Sequence, residues 1–333
     1  MRRPFPVTRR QCLASGALAA IWATFGAGPV QAQGTGHPRL RQGYQTNIWG
    51  MPTYYLVHCG ALATRGIEVE EFAVPSGNLT MQQMVARQVD LGTYAASSFI
   101  LGHDKGGLIA IAVIEEVGRT ARVMARKDLA ITKIEQLRGL KIANQTGSST
   151  GNIFVDQIAP AAGLNKSDYQ EVRMDVNTMV AALVAKTVDA MVNVEPYNSL
   201  AEADGIATPI MDYWSIDPMP VFMATTPEFV RDNAATLVPY LKAWREVARD
   251  FKQRPQAVGE LIQSFYTSKG YALSAETLAK ALERIEVDPR PPSRFVPYLT
   301  AQAEVLLREK KIAAIPDWSK ALRSEFMERA LND

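Results

Sequence analysis

A run of glycine and hydroxyl-bearing residues, Gln145-Thr146-Gly147-Ser148-Ser149-Thr150-Gly151, joins a predicted strand to a predicted helix. Glycine lets the backbone approach a bound group closely. N–H groups at the start of a helix favour an anionic or strongly polar group. The run is therefore a candidate ligand-binding loop. The alternative is an ordinary capped loop, because these residue types are also common in turns. No Gly-Lys-Ser/Thr follows, so a P-loop is not indicated.

Two other predicted strand-to-helix junctions carry residues that could contact a ligand. In Thr46-Asn47-Ile48-Trp49-Gly50, the Trp49 ring could stack on a planar ligand or border an alkyl chain, or it could belong partly to the core. Ser97 and Ser98 offer hydroxyl and backbone N–H groups at the next junction, although Ser97 could simply be a helix cap.

A third junction, Asn193-Val194-Glu195-Pro196-Tyr197, ends a predicted buried strand with two polar side chains. Asn193 and Glu195 could reach a ligand at the mouth of a cleft. Glu195 could instead serve closure or cap the helix that begins near Pro196. Asn78 and Asn177 are expected to be helix caps that could also reach the ligand.

Glu115 and Glu116 follow an apolar predicted strand and form an acidic pair near the expected cleft. If both point inward, they repel an anion and favour a ligand with an amine or ring N–H. If they point outward, or pair with Arg119 or Arg122, an anionic ligand remains possible. Use of the pair as a general acid and base is a weaker alternative, because adjacent residues often diverge in direction.

The composition gives little support for catalysis or metal binding. The three histidines are scattered, and neither they nor Cys12 and Cys59 have zinc-site spacing. No nucleophile and base stand at a recognisable spacing. We therefore expect no catalytic residues, no cofactor and no metal.

Strands and helices alternate through most of the chain, which predicts parallel sheets flanked by helices. The predicted strands are 39–45, 67–72, 89–94, 108–114, 120–126, 141–144, 169–174, 189–194 and 220–225, and the predicted helices are 51–64, 79–87, 97–104, 150–162, 178–185 and 196–203. After Pro227 the pattern becomes mostly helical, and we interpret this tail as packing.

The chain contains an internal repeat. Met84-Val-Ala-Arg-Gln-Val-Asp90 is echoed by Leu183-Val-Ala-Lys-Thr-Val-Asp189, and Gln45-Thr46 by Gln145-Thr146. Two similar α/β units suggest two lobes with a cleft between them, and ligands bind in such clefts. A repeat can also be purely architectural.

Residues 1–32 have the features of a cleaved leader. A positive start with two arginine pairs, among them Arg9-Arg10, precedes an apolar segment and the cleavage-site pattern Val30-Gln31-Ala32. Thr8–Leu13 is similar to a twin-arginine signal, although Cys12 replaces the preferred Phe. The net charge changes from +2 to about −2 without the leader, which argues against a nucleic-acid partner. Cys59 would then be the single cysteine, so no intramolecular disulfide is expected.

The ordered motifs resemble the periplasmic solute-binding proteins of nitrate/sulfonate/taurine-type ABC importers, a family that includes pyrimidine-precursor binders. The resemblance rests on the leader, the strand and repeat motifs above, Leu137-Arg-Gly-Leu-Lys-Ile-Ala143, the loop 145–150 and Glu195-Pro196-Tyr197. It covers roughly residues 38–300. It implies a type II periplasmic binding protein fold, with two doubly wound lobes, two crossover strands and a helical C-terminal extension.

The resemblance also implies a domain division and a function. Lobe 1 would comprise 36–119 and 225–333, and lobe 2 would comprise 120–224, with the crossover strands 120–126 and 220–225 as the hinge. The expected protein is a periplasmic monomer that captures a small polar or anionic solute and delivers it to a permease and its ATPase. The alternatives are a binder of a pyrimidine or aromatic carboxylate, or an enzyme such as a decarboxylase or pyrimidine synthase. The expected ligand contacts are Asn47, Trp49, Ser97, Ser98, Glu116, Thr146, Ser148, Ser149, Asn193 and Glu195.

Overall fold

Eleven strands form two mixed sheets in residues 39–332, the part of the chain that the computed structural model describes. The expected leader, 1–32, lies outside these residues. The strands are β1 (Arg39–Gln45), β2 (Glu68–Val74), β3 (Leu91–Ala95), β4 (Ile109–Glu116), β5 (Ala121–Arg126), β6 (Lys141–Asn144), β7 (Gln170–Arg173), β8 (Ala190–Val194), β9 (Ala207–Asp212), β10 (Pro220–Thr225) and β11 (Glu286–Arg290).

Helices pack on both sheets. They are α1 (Met51–His58), α2 (Gly77–Val85), α3 (Ala96–Gly106), α4 (Ser149–Ile153), α5 (Ala159–Ala161), α6 (Met179–Val184), α7 (Tyr197–Ala203), α8 (Pro227–Gln253), α9 (Pro255–Ser268), α10 (Ala275–Leu282), α11 (Val296–Arg308), α12 (Trp318–Ala321) and α13 (Glu325–Asn332). Among the described residues, no helix is long and apolar enough to cross a membrane.

The first five strands of the larger sheet have the same topology as the five strands of the smaller sheet. The six-stranded sheet runs β2-β1-β3-β10-β4-β11, and the five-stranded sheet runs β7-β6-β8-β5-β9. In each sheet three neighbouring strands are parallel, and an antiparallel strand, β10 or β5, separates them from the next strand. The repeat in the sequence thus corresponds to a repeat in topology. We call the six-stranded sheet with its helices the six-stranded body, and the five-stranded sheet with its helices the five-stranded body.

The chain crosses between the bodies twice, through the segments 117–120 and 213–219. β5 pairs with β8 and β9, and β10 pairs with β3 and β4. The expected division at residue 224 put β10 with the second lobe. Its hydrogen bonds instead place it in the six-stranded sheet, because each antiparallel strand joins the sheet that the chain has just entered.

The long helix α8 covers one face of the six-stranded sheet, as its apolar stripe predicts. Leu237, Tyr240, Leu241, Trp244 and Val247 are buried on it. The sequence did not predict strands β9 and β11. Most residues of these two strands are partly or largely exposed, so neither shows a buried apolar run.

Candidate functional site

The carboxyl ends of the parallel strands of the two sheets line one cavity. Its volume is about 610 Å³. The six-stranded body contributes Gln45, Asn47, Trp49, Ser76, Gly77, Asn78, Leu79, Ala95 and Ser98, and the five-stranded body contributes Gln145, Thr146, Gly147, Ser148, Ser149, Thr150, Arg173, Met174, Asp175, Val176 and Val194. Ligands in open α/β sheets bind beyond these strand ends. We call this space the main cavity.

Equivalent glycines shape the loops after β1 and β6. A Cβ on Gly50 would lie 1.8 Å from the carbonyl oxygen of Gln45, and a Cβ on Gly151 would lie 2.5 Å from that of Gln145. Both distances are far below van der Waals contact, so only glycine allows each turn to fold back against its strand end. The two bodies therefore present matched loops to the same cavity.

Arg173 is a cationic side chain on the wall of the main cavity. It is the last residue of β7, and it is exposed. No hydrogen bond or ion pair joins its guanidinium to another residue in the part of the chain that the structure describes. Asp175, two residues later, is the one carboxylate among the described residues lining the cavity, and it forms no ion pair with Arg173. An uncompensated guanidinium can bind an anionic group through charge-assisted hydrogen bonds.

Asn47 and Trp49 both lie on the wall of the main cavity. The Asn47 side chain accepts a hydrogen bond from the Trp49 backbone N–H at 3.0 Å and caps a 3-10 turn, Ile48–Gly50. The indole N–H of Trp49 donates to the hydroxyl of Thr120 at 2.6 Å. The Trp49 ring is thus held between the six-stranded body and a crossover segment, and the residue is buried where it borders the cavity.

The serines after β3 and β6 meet across the two bodies. The Oγ atoms of Ser97 and Ser149 are 2.6 Å apart and hydrogen-bonded. Ser149 lines the main cavity, whereas Ser97 lies behind this contact and lines a neighbouring cavity. Ser98 lines the main cavity and is half-buried.

The hydroxyls of Thr146 and Ser148 already have partners in their own body. Thr146 donates to Glu171 at 2.7 Å. Ser148 caps α4 by accepting from the N–H of Gly151 at 3.0 Å. Both residues line the cavity. The capping interpretation of this loop therefore holds for Ser148, and ligand contact by the two residues stays a prediction.

Asn193 and Glu195 are fully buried behind the cavity wall. The Asn193 amide donates to the carbonyl of Val176 at 2.9 Å and so positions a wall residue. Glu195 accepts from Ser199 N–H at 2.9 Å and from Arg284 at 2.8 Å. Burial raises the pKa of Glu195, and the Arg284 charge opposes that rise. In the described chain, neither of the two side chains lines the main cavity.

Glu115 and Glu116 also lie away from the main cavity, which among the described residues includes neither of them in its wall. Glu116 forms an ion pair with Arg290, whose Nη2 lies 2.9 Å from its carboxylate. Glu115 is fully buried, and its oxygens have no hydrogen-bond partner among the described residues. Burial raises the pKa of Glu115 well above its ordinary value. The pair therefore provides no repulsion on the cavity wall.

Sequence reasoning did not select several wall residues, above all Arg173 and Asp175. The rule that ligands meet the carboxyl ends of parallel strands could have found them, because β7 ends at Arg173. Ser76 was missed for a different reason. Asn78 was expected to cap the following helix, but α2 begins earlier and the Ser76 side chain caps it.

In the described residues, no group of three or more His, Cys, Asp or Glu side chains is placed to hold a metal ion. Cys59 is half-buried and free.

The sequence matches the model of one family and the sequences of several relatives. The sequence model of the family described as NMT1/THI5 like matches residues 50–258. A protein of Brucella abortus described as a binding protein is 27% identical over 152 residues, which are 45% of this chain and 46% of that protein. An aliphatic sulfonates-binding protein of Escherichia coli is 24% identical over 241 residues, 72% of this chain and 71% of that protein. The match thus spans about half the length of the first of these relatives.

Solved structures share the fold. The periplasmic aliphatic sulphonate binding protein of Escherichia coli has a TM-score of 0.74 at 19% identity, covering 86% of this chain and 92% of its own. The periplasmic nitrate-binding protein of Synechocystis has 0.70 at 14%, covering 88% of each chain. A desulfurization enzyme has 0.66 at 16%, covering 88% of this chain and 99% of its own. The predicted fold class, the type II periplasmic binding protein fold, is confirmed.

Proposed function

Since the chain belongs to the NMT1/THI5-like family, we propose that it is the substrate-binding component of an ABC importer and captures a small anionic solute in the main cavity. The observation that carries this proposal is Arg173 on the cavity wall, whose guanidinium has no partner among the described residues. The names of the sulfonate- and nitrate-binding relatives support the same ligand class. Sulfonate, nitrate and taurine are the candidate solutes. Asp175 on the same wall would suit the ammonium group of an aminosulfonate such as taurine.

The site residues divide into two proposed roles. Direct contacts would come from Asn47, Trp49, Ser98, Thr146, Ser148 and Ser149, together with Arg173. Asn193 and Glu195 would position the wall from behind, and Glu116 would take no part in binding. Ser97 would act through its hydrogen bond to Ser149.

The bodies would act as two lobes that close over the solute by bending at the crossovers. We place the hinge in 117–120 and 213–219, so that lobe 2 comprises about 121–212 and lobe 1 comprises about 39–116 and 220–332. The names of the periplasmic relatives support a periplasmic location. Export by the twin-arginine route, a monomeric state and delivery to a permease with its ATPase belong to the same proposal.

An enzyme on this fold is the second candidate, because a desulfurization enzyme is a structural neighbour. Of the described residues that line the main cavity, none is a cysteine or a histidine. Nucleophilic catalysis there would depend on a serine or threonine, and the base beside Thr146 is the Glu171 carboxylate, not the histidine that commonly activates such a hydroxyl. Binding without turnover is therefore favoured, and recovery of the bound solute unchanged after incubation would support it.

Replacing Arg173 by Met tests the proposal directly. The mature protein is titrated with nitrate, methanesulfonate, taurine, uracil and benzoate by calorimetry and thermal shift. A solute at a hundred times its Kd stabilises the protein by about 2.7 kcal/mol. We expect an anion or taurine to bind the wild type. Arg173→Met should weaken that binding about 10- to 100-fold, because a hydrogen bond to a charged group is lost.

Lys127→Met is the matched control, since Lys127 is an exposed cation of the same body outside the described wall of the main cavity. It should leave the Kd unchanged, and both variants should keep the ligand-free Tm. Binding of uracil alone would contradict the anionic assignment. Equal binding by wild type and Arg173→Met would remove Arg173 from the site.

A further inference from the structure

A second cavity of about 380 Å³ adjoins the main cavity between the same two bodies. Both cavities include Ala95 and Ser149 in their walls. The hydrogen bond between the hydroxyls of Ser97 and Ser149 stands at this common border. One hydrogen bond between two rotatable hydroxyls is a weak barrier, because its net contribution to stability is about 1 kcal/mol. A ligand could therefore extend from one cavity into the other.

The walls of the second cavity have a different chemistry from those of the main cavity. Ile153 and Met219 on one side and Val305 and Leu306 of α11 on the other are apolar. The amide side chains of Asn152 and Gln157 add uncharged hydrogen-bonding groups. Such walls suit the uncharged body of an organic molecule.

The carboxylates at the second cavity already have cationic partners. Asp156 and Glu309 lie on its wall with Arg308. Lys166 lies 3.7 Å from the Asp156 carboxylate, and Lys311 lies 2.7 Å from that of Glu309. Neither carboxylate is therefore a free charge for a ligand.

Two polar residues of the α11 wall are held by buried Asp217. Tyr298 donates its hydroxyl hydrogen to Asp217 at 2.8 Å, and Gln302 donates one of its amide N–H groups at 3.1 Å.

A local irregularity forms one wall of this cavity. The sequence predicts one helix over 150–162, but the structure inserts a π-helical turn, Phe154–Ile158, between α4 and α5. The turn brings Asp156 and Gln157 to the cavity. Single π turns recur at functional sites.

We propose that the second cavity is a subsite for the uncharged body of an elongated organic anion, whose charged head binds at Arg173 in the main cavity. The inference rests on the proposed function and adds to it the size of the solute. The volume accommodates about ten water-sized groups. The preferred solute thus carries a chain or ring beyond its anionic head and exceeds nitrate or methanesulfonate in length.

The test is a calorimetric titration with two linear series, 1-alkanesulfonates and n-alkanoates, each from one to eight carbons. For the wild type we expect Kd to fall several-fold with each methylene that enters the subsite, because burying a methylene is favourable. Val305→Trp fills the second cavity and should abolish this gain, while the Kd of the shortest member that binds changes less than twofold. Leu307→Trp is the control, because Leu307 is exposed on the same helix and lies outside the described cavity wall.

Gln157→Trp fills the cavity from the opposite body and replaces Val305→Trp if that variant fails to fold. The inference is overturned if chain length does not change Kd in the wild type, or if both filling variants keep the wild-type length dependence. If short anions still bind in that case and their binding depends on Arg173, the proposed function stands. If no member of either series binds, the proposed function fails and the inference fails with it.

Discussion

At the scale of single residues, the adjacent carboxyl groups at the end of β4 show how burial decides a role. Glu116 faces Arg290, while Glu115 faces an apolar environment with its carboxyl group unpaired among the described residues. A buried carboxyl group without a partner favours its neutral form, and burial accordingly raises the pKa of Glu115. The buried carboxyl group of Glu115 therefore makes the free energy of unfolding depend on pH. It does not line the main cavity.

Glu115→Gln is expected to become more stable than the wild type as the pH rises. Because the folded-state pKa of Glu115 is raised, its contribution is complete below pH about 4.5 and is lost towards higher pH. Above that pH the wild type should lose about 1.4 kcal/mol per pH unit relative to Glu115→Gln until the raised pKa is reached. Urea unfolding between pH 4.5 and 8 measures this difference.

Glu135→Gln, at an exposed position, is the control and should follow the wild-type profile. Parallel profiles for wild type and Glu115→Gln would contradict the burial of an unpaired carboxyl group. The sequence left the directions of Glu115 and Glu116 open, and it could not tell which of the two would find an ion-pair partner. The register of β4 against β10 shifts at a bulge beside Glu115, and tertiary pairing sets such a shift.

At the scale of elements, helix starts were harder to predict than helix existence. Asn78 and Ser76 are both acceptable caps, and the choice depends on how closely α2 approaches the sheet. A Cβ on Gly77 would lie 2.7 Å from the Gln45 amide and 2.8 Å from the Tyr94 side chain. The close approach of Gly77 to the sheet fixes the first turn of α2, and Ser76 then becomes the cap.

Ser76→Ala should lower the free energy of unfolding of the ligand-free protein by about 0.5–1 kcal/mol, because the N–H of Leu79 loses its capping acceptor. Asn78→Ala is the matched control and should cause no loss, since Asn78 lies inside the helix. Both residues line the main cavity, so the comparison is made by urea unfolding without ligand. An equal loss from the two variants would contradict the assignment of Ser76 as the cap.

The sequence predicted most of the strands that carry the main cavity and the loops that follow them. It predicted β1, β6 and β10 with the bounds that the structure shows. It missed the exposed β9 and β11 and the π turn after α4, because exposed strands lack the apolar run and a π turn keeps helical periodicity. It also could not show that Thr146 and Ser148 satisfy partners in their own body, since those contacts depend on the fold.

At the scale of the whole molecule, an ion pair between a half-buried arginine and a fully buried glutamate joins the two bodies. Arg284, between α10 and β11, donates to Glu195 at 2.8 Å and to the hydroxyl of Ser199 at 2.9 Å. Glu195 follows β8 of the other body, and the next cation, Arg122, lies 3.8 Å from it. A buried ion pair adds little net stability over apolar packing, but loss of one partner leaves a charge buried without compensation. The pair therefore favours the arrangement in which the bodies meet.

Arg284→Met is expected to lower the free energy of unfolding by about 3 kcal/mol, because Glu195 is left fully buried with only the more distant Arg122. Adding Glu195→Gln should restore part of that loss, since a neutral amide is less costly to bury than an unpaired carboxylate. Arg231→Met removes an exposed pair with Asp232 and should leave the free energy of unfolding nearly unchanged, because solvent screens exposed ion pairs. Urea unfolding of the wild type and the three variants at pH 7 measures these differences in the free energy of unfolding. If the double variant were no more stable than Arg284→Met, the loss would come from packing of the arginine and not from a stranded charge between the bodies.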